Sequence, residues 1–343
     1  MSTRIISNLK EIDFRKWDDF VNGHPNGTIF QSSDMFHLFS KTEKFHPVPI
    51  AFTENGDIKG LLLAVIIKEY KSFIGYFSSR TVVYGGPLID PDMDHCDQII
   101  DLLLKSLIEK VKNKSVFIQF RNFNDVNNCK QVFINNGFKF LERLNYLVDT
   151  SELAIVKQRM SDSKLRQIKK GLQLGAVIAE PADIDEVRAF YNILFYLYKF
   201  KVKKPLPGWS FFENFYHQSR EGNLGIIRLV KYNNKVIGGI LSPVFDKKSI
   251  YEWYVCGLDE EYKNLYPSVL ATWAAIDYAV QNKIMTFDFM GVGVPNRDYG
   301  VREFKARFGG NLVNYGRFGK INNQFVYVVT EVGYNILSLL RRI

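Results

Sequence analysis

Apolar residues form two patterns along the chain: short apolar runs, which are typical of strands, and spacings of three and four residues, which are typical of helices. Segments of the two kinds follow one another in a fixed order. Near the start, two apolar runs flank a turn at residues 54–57, whose Asn-Gly pair is typical of a β-hairpin. Further along, apolar positions spaced three and four residues apart predict helices, and short apolar runs predict buried strands. The first half is predicted to hold strands at 48–53, 58–69 and 81–89, a helix at 99–111, a strand at 115–120, a helix at 126–136 and a strand at 139–149.

The second half repeats this order. Its predicted elements are strands at 224–232, 235–244 and 249–257, a helix at 269–280, a strand at 284–290, a helix at 301–308 and a strand at 311–320. Two halves with the same order predict tandem α/β domains of one fold, at residues 1–150 and 151–343. A helical insert at about 151–220 opens the second domain. The tail at 328–343 has the spacing of an amphipathic helix.

Composition narrows the class of protein. The chain has 343 residues, 46% of them hydrophobic and 24% charged, which is ordinary for a globular protein long enough for two cores. No apolar run reaches the roughly 18 residues of a membrane span, and the start lacks the apolar core of a signal peptide. Three widely spaced cysteines make neither a disulfide framework nor a zinc site. We therefore expect a protein of the cytoplasm.

The net charge adds a preference for partners. A formal charge of +9 favours an anionic partner, such as a nucleic acid, a phosphorylated metabolite or an acidic lipid surface, without choosing among them. The apolar and basic end of the chain at 339–343 fits either contact with a membrane surface or packing of a helix. The sequence leaves the oligomeric state open.

Several common catalytic signatures are absent. The sequence has no phosphate loop of the Gly-x-x-x-x-Gly-Lys-Ser/Thr type, no Gly-x-Gly-x-x-Gly, no His-Glu-x-x-His and no Gly-x-Ser-x-Gly. Its five histidines are scattered, so their spacing suggests neither a metal site nor a catalytic triad. We expect no metal ion and no covalent intermediate, which leaves chemistry by positioning and charge.

Lys305 is the main candidate for such chemistry. It lies among Phe304, Arg307 and Phe308, which recur at the spacing of one helix face, and the Gly-Gly pair at 309–310 predicts the end of that helix. The preceding predicted strand carries a carboxylate, Asp288. Charged residues between a strand end and a glycine turn fit either a catalytic site or an ordinary helix-to-strand corner. Further candidates at strand ends of the second half are Glu252 and Tyr254.

Two basic clusters are candidates for binding anions. Lys203 and Lys204 precede a Pro-Leu-Pro-Gly segment at 205–208 between the predicted domains, where ligand sites concentrate. Lys41 follows a helix that is predicted from the Ser-Ser-Asp cap at 32–34 and the apolar residues within 35–39. Lysine runs are more often solvated surfaces, so both interpretations stay open.

Four segments together resemble the FemAB family of aminoacyltransferases, whose fold is a duplicated GNAT acyltransferase domain. They are residues 27–41 with Gln-Ser, an aromatic residue and Lys41, residues 79–87, residues 161–175, and the pair Thr-Phe-Asp-Phe-Met-Gly at 286–291 and Val-Arg-Glu-Phe-Lys-Ala-Arg-Phe-Gly-Gly at 301–310. The last pair resembles the most recognisable signature of the family. The resemblance covers nearly the whole chain and implies an α/β fold of tandem GNAT-like domains.

The resemblance implies an enzyme that transfers an aminoacyl or acyl group onto an amine of a cell-wall or nucleotide-linked acceptor. No cofactor is expected, and the co-substrate is aminoacyl-tRNA or an acyl thioester of coenzyme A or acyl-carrier protein. Lys305 would stabilise charge on the carbonyl under attack, with Asp288 as its catalytic partner. The residues that would bind substrate are Lys41, Tyr84, Lys203, Lys204, Glu252, Tyr254, Arg302 and Phe304.

The sequence departs from the pattern in two places. The turn at 261–270 has no glycine, although GNAT enzymes that use coenzyme A usually hold its pyrophosphate on a glycine-containing turn there, and residues 92–98 of the first half lack one too. No helical hairpin of the length found in tRNA-binding members is present. Two alternatives stay open: an N-acyltransferase that modifies an amino sugar or glycan from a thioester, and a catalytically silent GNAT-like module that binds an anionic ligand.

The lysines at 203 and 204 generate the first test. Replacing both by glutamate, Lys203→Glu with Lys204→Glu, reverses the charge presented to an acceptor phosphate, so acceptor affinity should fall more than turnover does. Calorimetric titration with the acceptor, alongside kcat, separates the two quantities. Unchanged acceptor binding would assign both lysines to a solvated surface.

Overall fold

The chain passes between two structural units within segments that the sequence predicts as single strands. In the computed structural model, one unit comprises residues 1–142 with 315–343, and the other comprises residues 143–314. The structure describes residues 3–7, 11–69, 74–222, 224–296 and 300–328. Tyr299 and almost all of the predicted tail helix at 328–343 lie outside these described residues.

The first unit contains five helices and seven strands before the chain leaves it, as far as it is described. Its helices are α1 Phe14–Gly23, α2 Ser33–Lys41, α3 Ile74–Phe77, α4 Cys96–Val111 and α5 Lys130–Asn135. Its strands are β1 Thr3–Ile6, β2 Phe45–Glu54, β3 Asp57–Ile67, β4 Arg80–Tyr84, β5 Leu88–Ile89, β6 Phe117–Arg121 and β7 Lys139–Leu141.

The second unit follows, and one further strand then returns to the first. The helices of the second unit are α6 Leu153–Arg159, α7 Asp162–Gln173, α8 Ile184–Leu197, α9 Trp209–Glu221, α10 Pro267–Gln281 and α11 Gly300–Ala306. Its strands are β8 Leu144–Asp149, β9 Val177–Ala179, β10 Gly225–Tyr232, β11 Lys235–Phe245, β12 Ser249–Tyr251, β13 Tyr254–Gly257, β14 Thr286–Asp288 and β15 Asn311–Asn314. The returning strand is β16 Arg317–Ile321.

Each unit contains a mixed sheet of eight strands. In the first unit the order is β1-β2-β3-β4-β6-β16-β7, with β5 beside β3, and in the second it is β15-β8-β14-β12-β11-β10-β9, with β13 beside β11. One neighbouring pair in each sheet is parallel, β4 with β6 and β12 with β14, and the other pairs of described strands are antiparallel. The predicted mixed α/β class is confirmed.

Two strands do not follow the predicted division. The strand predicted at 139–149 breaks at residues 142–143, so that β7 joins the first sheet and β8 pairs with β14 and β15 of the second. The strand predicted at 311–320 breaks at 315–316, where Gly316 has a φ of +65°, and β16 pairs with β6 and β7. The boundary predicted at residue 150 therefore differs from the structural boundary at 142–143. The insert predicted as helical also contains β9, which pairs with β10.

Aromatic packing explains why β16 joins the first sheet. Phe318 is fully buried, and its ring stacks on that of Phe133 with centroids 4.0 Å apart and planes 8° apart. Phe120 and Phe138 pack edge-on against Phe133, at 4.9 Å and 5.5 Å. Burying one such side chain is worth about 1.5–3 kcal/mol, so the returning strand completes the core of the first unit.

In the second unit, two parallel strands separate and open the sheet. β12 and β14 pair only over Ser249–Tyr251 and Thr286–Asp288. The amide of Glu252 still donates to the carbonyl of Asp288 at 2.9 Å, and the chain then turns to β13, which pairs with β11 instead. Side chains that follow the carboxyl ends of β12 and β14 therefore meet at an opening, where ligands commonly bind in α/β sheets.

The end of α11 is fixed against the region between α6 and α7. The amide of Ser161, the N-cap of α7, donates to the carbonyl of Arg307 at 2.9 Å. Gly309 has a φ of +84°, and a Cβ there would lie 2.4 Å from the carbonyl oxygen of Arg159. Only glycine satisfies both the backbone conformation and this close approach.

Gly309→Ala should therefore destabilise the second unit by about 2–5 kcal/mol, because the methyl group adds steric overlap to a strained backbone. Urea unfolding followed by tryptophan fluorescence measures it, since Trp209, Trp253 and Trp273 all lie in this unit. Gly300→Ala is the matched control, because nothing lies within 4 Å of a Cβ there. Equal midpoints for the two variants would contradict the role assigned to Gly309.

Candidate active site

Lys305 is anchored at the opening between β12 and β14. Its Nζ lies 2.9 Å from Oε1 of Glu252, and it donates to the carbonyl of Phe289 at 2.8 Å and to that of Gly291 at 3.3 Å. The side chain is 12% exposed, and that of Glu252 is 2% exposed. The structure thus presents a positive charge that is held by three oxygens and still reaches solvent.

Glu252 is the buried counter-charge of this lysine. Its other oxygen, Oε2, accepts a hydrogen bond from the Thr272 hydroxyl of α10 at 3.1 Å, and its amide is bonded to Asp288. Removing one partner of a buried pair leaves an uncompensated charge, which typically costs 3–5 kcal/mol. Lys305 and Glu252 therefore hold each other in place.

Asp288 fixes the turn whose carbonyls face Lys305. Its Oδ1 accepts from Nδ2 of Asn145 at 2.7 Å and from the amide of Met290 at 2.5 Å, and Oδ1 of Asn145 accepts from the amide of Gly291 at 2.7 Å. Burial raises the pKa of Asp288 to about 6, opposed by the bonds from Asn145 and Met290 and by the charge of Lys305. Asp288 and Asn145 together set the positions of the carbonyls that bind the ammonium.

A second lysine, Lys164 of α7, packs against the helix that carries Lys305. It is 5% exposed, and its Nζ lies 3.8 Å from the ring centroid of Phe304 and 5.1 Å from that of Phe308. Burial, together with the positive charge of Arg307, lowers the pKa of Lys164 to about 8. Cation–π contact favours the charged form and burial opposes it, so the two effects act on the pKa of Lys164 in opposite directions.

Arg302 ties α11 to the loop that follows β14. Its Nε donates to the carbonyl of Val292 at 3.1 Å, and its Nη2 donates to that of Val294. Phe304 packs on Phe308 with centroids 5.5 Å apart. Both residues thereby fix the orientation of Lys305 within the second unit.

Tyr254 follows Glu252 by two residues and belongs to an aromatic cluster. Its ring lies 5.7 Å from that of Trp253 and 5.6 and 5.3 Å from those of Phe211 and Phe212 on α9. Tyr254 is partly exposed, whereas both phenylalanines are fully buried. The cluster therefore packs β13 against α9, a helix of the predicted insert.

Comparison with models of protein families gives a match that includes three of these residues. The model of the FemAB family matches residues 226–335, a segment that contains Glu252, Asp288 and Lys305. The resemblance to the FemAB family is confirmed. A search of the curated proteins gives no significant match.

Solved structures are similar to this chain over both of its units. A crystal structure of FemX has a TM-score of 0.70 at 17% identity, and the alignment covers 96% of this chain and 99% of that one. L-PGS from Bacillus licheniformis has a TM-score of 0.58 at 12% identity, with coverages of 94% and 96%. A tandem GNAT protein from the clavulanic acid biosynthesis pathway has a TM-score of 0.58 at 9% identity, with coverages of 94% and 99%. The predicted tandem GNAT-like fold is thereby confirmed.

Of the residues predicted from the FemAB resemblance, the structure brings Lys305, Glu252 and Asp288 into one bonded group. Arg302 and Phe304 lie beside it on α11. Tyr84 and Lys41 belong to the first unit. The Tyr84 ring is 6% exposed and stacks on Phe30 at 5.1 Å, and Arg121 donates to its hydroxyl at 3.4 Å. Lys41 is exposed in the last turn of α2, and Lys203 and Lys204 are exposed beyond α8.

Three residues of this FemAB-like site were not predicted. Asn145 lies on β8, in a segment assigned by sequence to the other domain. Thr272 could have been found, since it carries the one hydroxyl group among the ten buried residues of α10. Lys164 has none, because it stands in a helix rich in exposed lysines.

The turn before α10 is closed by a hydrogen bond within the protein. Oδ1 of Asp259 accepts from the amide of Ser268, the second residue of the helix, at 3.0 Å. Tyr266, with a φ of +51°, is the N-cap. Gly171 of α7 packs closely on the loop, since a Cβ there would lie 2.5 Å from the carbonyl oxygen of Leu265. A carboxylate thus already binds the backbone amide of Ser268 at the start of α10.

The described residues contain neither a candidate metal site nor a candidate membrane-spanning helix. No group of three His, Cys, Asp or Glu side chains in the described ranges could hold a metal ion. No helix within those ranges is both long and apolar enough to cross a membrane.

Lys164 generates a prediction for stability against pH. Its pKa is about 8 in the folded chain and about 10.4 in an unfolded one, so between these values the unfolded chain binds more protons. The free energy of unfolding should then rise with pH over this window, by up to about 3 kcal/mol from this group. The measurement is the difference between wild type and Lys164→Met across the window.

Lys169→Met provides the control, because Lys169 is exposed on the same helix. It should track the wild type at every pH. Parallel stability curves for wild type and Lys164→Met would show that Lys164 keeps an ordinary pKa. Arg307 and Asp259 are the charged groups that also act on Lys164, so both stay unchanged in these variants.

Proposed function

We propose that this protein transfers an aminoacyl group onto an amine of a phosphorylated cell-wall or nucleotide-linked acceptor. The observation that carries the proposal is the partly exposed ammonium of Lys305, held by buried Glu252 and two backbone carbonyls where β12 and β14 separate. This group lies in the segment that matches the FemAB family. FemX, a structural neighbour at 17% identity, shares the fold.

Lys305 acts by electrostatic stabilisation. The acceptor amine attacks the carbonyl carbon of the donor ester, the carbonyl oxygen becomes an oxyanion, and the ester C–O bond then breaks as the amide forms and the amine loses a proton. A fixed positive charge beside the oxyanion lowers the barrier, because it needs no reorganisation at that moment. Of the three bonds made by Nζ, the 3.3 Å bond to Gly291 is the longest and is the one that a substrate oxygen would replace.

Glu252 and Asp288 serve the reaction through Lys305. Both oxygens of Glu252 are engaged inside the protein, by Lys305 and Thr272, so its role is to hold the ammonium in place. Asp288 is 3% exposed and accepts from Asn145 and Met290, so we assign it a positioning role within the catalytic group.

The turn before α10 favours an aminoacyl ester over an acyl-coenzyme A. An ordinary pyrophosphate site needs free amides at the start of the helix. Here the amide of Ser268 is bonded to Asp259, and the negative charge of that carboxylate would repel a pyrophosphate. Aminoacyl-tRNA is therefore the proposed donor, and acyl-carrier protein remains the thioester alternative.

The acceptor would be bound by charged and by aromatic side chains. Lys41 and one of Lys203 or Lys204 would bind its phosphates as exposed cations. Tyr84, Tyr254, Arg302 and Phe304 complete the proposed binding residues. Lipid- or nucleotide-linked acceptors of this kind are made in the cytoplasm, which is the proposed location.

Lys305→Met should lower kcat by about 10²–10³, the usual loss when one such electrostatic donor is removed. Because the substitution leaves Glu252 buried without a partner, the double variant Lys305→Met with Glu252→Gln accompanies it. Circular dichroism reports whether each variant is folded. Turnover within tenfold of wild type by a folded variant would exclude Lys305 from catalysis.

A donor screen tests the reaction class. The purified protein is incubated with charged tRNA, acetyl-coenzyme A or acyl-carrier protein plus amine acceptors, and the products are identified by mass spectrometry. An aminoacyl product supports the proposal. A product from a thioester alone would indicate the N-acyltransferase, and no product with retained ligand binding would indicate the silent module.

A further inference from the structure

A dense group of exposed apolar side chains lies at the end of α8, directly before Lys203 and Lys204 and far in sequence from Lys305, Glu252 and Asp288. Phe195, Tyr196, Phe200 and Val202 are 48%, 49%, 56% and 43% exposed. We call these four residues, with Lys199 and Lys201, the apolar–basic patch. Buried apolar residues need no partner outside the chain, but exposed apolar residues grouped within eight positions commonly mark an interaction surface.

The helix geometry groups these side chains. α8 continues into a π-helical turn at Tyr198–Val202, and residues four apart lie on one face of a helix. The rings of Tyr196 and Phe200 are 5.2 Å apart, and Nζ of Lys199 lies 5.9 Å from the ring of Phe195 and 5.1 Å from that of Phe200. The opposite face carries Leu194, which is fully buried.

The charge of the patch has one sign. Residues 195–204 include four lysines and no acidic residue. Lys201 pairs with Glu260 at 2.6 Å, and that carboxylate is itself 76% exposed. The four lysines are all exposed. Apolar rings surrounded by ammonium groups are complementary to a surface that is apolar inside and negatively charged outside.

We propose that the apolar–basic patch docks on an anionic lipid surface. The rings of Phe195, Tyr196 and Phe200 would enter the boundary between headgroups and acyl chains, while Lys199 and Lys201 contact headgroup phosphates. Lysine suits this arrangement, because its long apolar stem follows the rings and its charge stays in water. The patch lies on the protein as a peripheral contact, not as a spanning segment.

Single-stranded RNA fits the same surface less well. Base stacking needs open ring faces, whereas Tyr196 and Phe200 pack against each other and Lys199 covers part of Phe200. The cations are lysines, not the arginines that stack on bases, and Val202 offers no ring. Docking on lipid stands independently of the proposed reaction, and its test measures no turnover.

The test is co-sedimentation of the purified full-length chain with vesicles. One set contains phosphatidylcholine alone, and the other contains phosphatidylcholine and phosphatidylglycerol in equal parts. The wild type should bind the anionic set more tightly. Phe195→Ser with Phe200→Ser should weaken that binding about a hundredfold, since two large apolar side chains are lost. Lys199→Gln with Lys201→Gln should weaken it about tenfold at low ionic strength.

Matched controls use exposed residues of the first unit. Leu102→Ser with Ile134→Ser removes apolar side chains that are each 44% exposed, and Lys112→Gln with Lys114→Gln removes two exposed charges. Both control variants should bind like the wild type. Circular dichroism of every variant confirms that the fold is retained.

Three results would overturn the proposal. The first is equal binding of the wild type to both vesicle sets, or binding to neither. The second is unchanged anionic-vesicle binding by a folded Phe195→Ser, Phe200→Ser variant. The third is a gel-shift assay with tRNA in which that variant loses RNA binding while vesicle binding persists, which would assign the patch to a nucleic acid.

Discussion

The buried ion pair between Lys305 and Glu252 constrains the architecture around it. Two opposite charges with side chains 12% and 2% exposed are stable only if the remaining hydrogen-bonding capacity is met. Thr272 meets it for the carboxylate, and the carbonyls of Phe289 and Gly291 meet it for the ammonium. Those carbonyls are in place because Asp288 and Asn145 fix the turn. The candidate catalytic group is thus a network in which each of these polar side chains depends on a partner from another element.

This network shows what the position of β8 contributes to the candidate site. β8, which carries Asn145, arrives from the first half of the chain and pairs with β14, which carries Asp288. With β8 in the first sheet, as the sequence predicted, the amide of Gly291 would lose its partner, and the carboxylate of Asp288 would keep the amide of Met290 but lose Asn145. β8 therefore gives the second unit a side chain that lies outside the second domain predicted from the sequence at 151–343. Duplication alone would not give this site.

The sequence allowed prediction of the parts that depend on local pattern. Strand, turn and helix signals place Glu252, Asp288 and Lys305 at element ends, and a FemAB-like motif singles out the last two. Asn145 was missed because the break at residues 142–143 has no glycine or proline, so nothing local indicates that the chain changes sheets. Lys164 was missed because its burial depends on Phe304 and Phe308, which are distant in sequence. Long-range packing decides both cases.

Lys305 on α11 and Lys164 on α7 have different surroundings, and these surroundings suit the two lysines to different roles. Lys305 faces a carboxylate at 2.9 Å, so its positive charge is compensated where it stands. Lys164 faces two rings and has the like charge of Arg307 as a neighbour, and its pKa falls to about 8. A charge that must persist while an oxyanion forms needs the first environment. A side chain packed against the rings of Phe304 and Phe308 tolerates the second. For this reason the proposed role of stabilising the oxyanion falls to Lys305 rather than to Lys164.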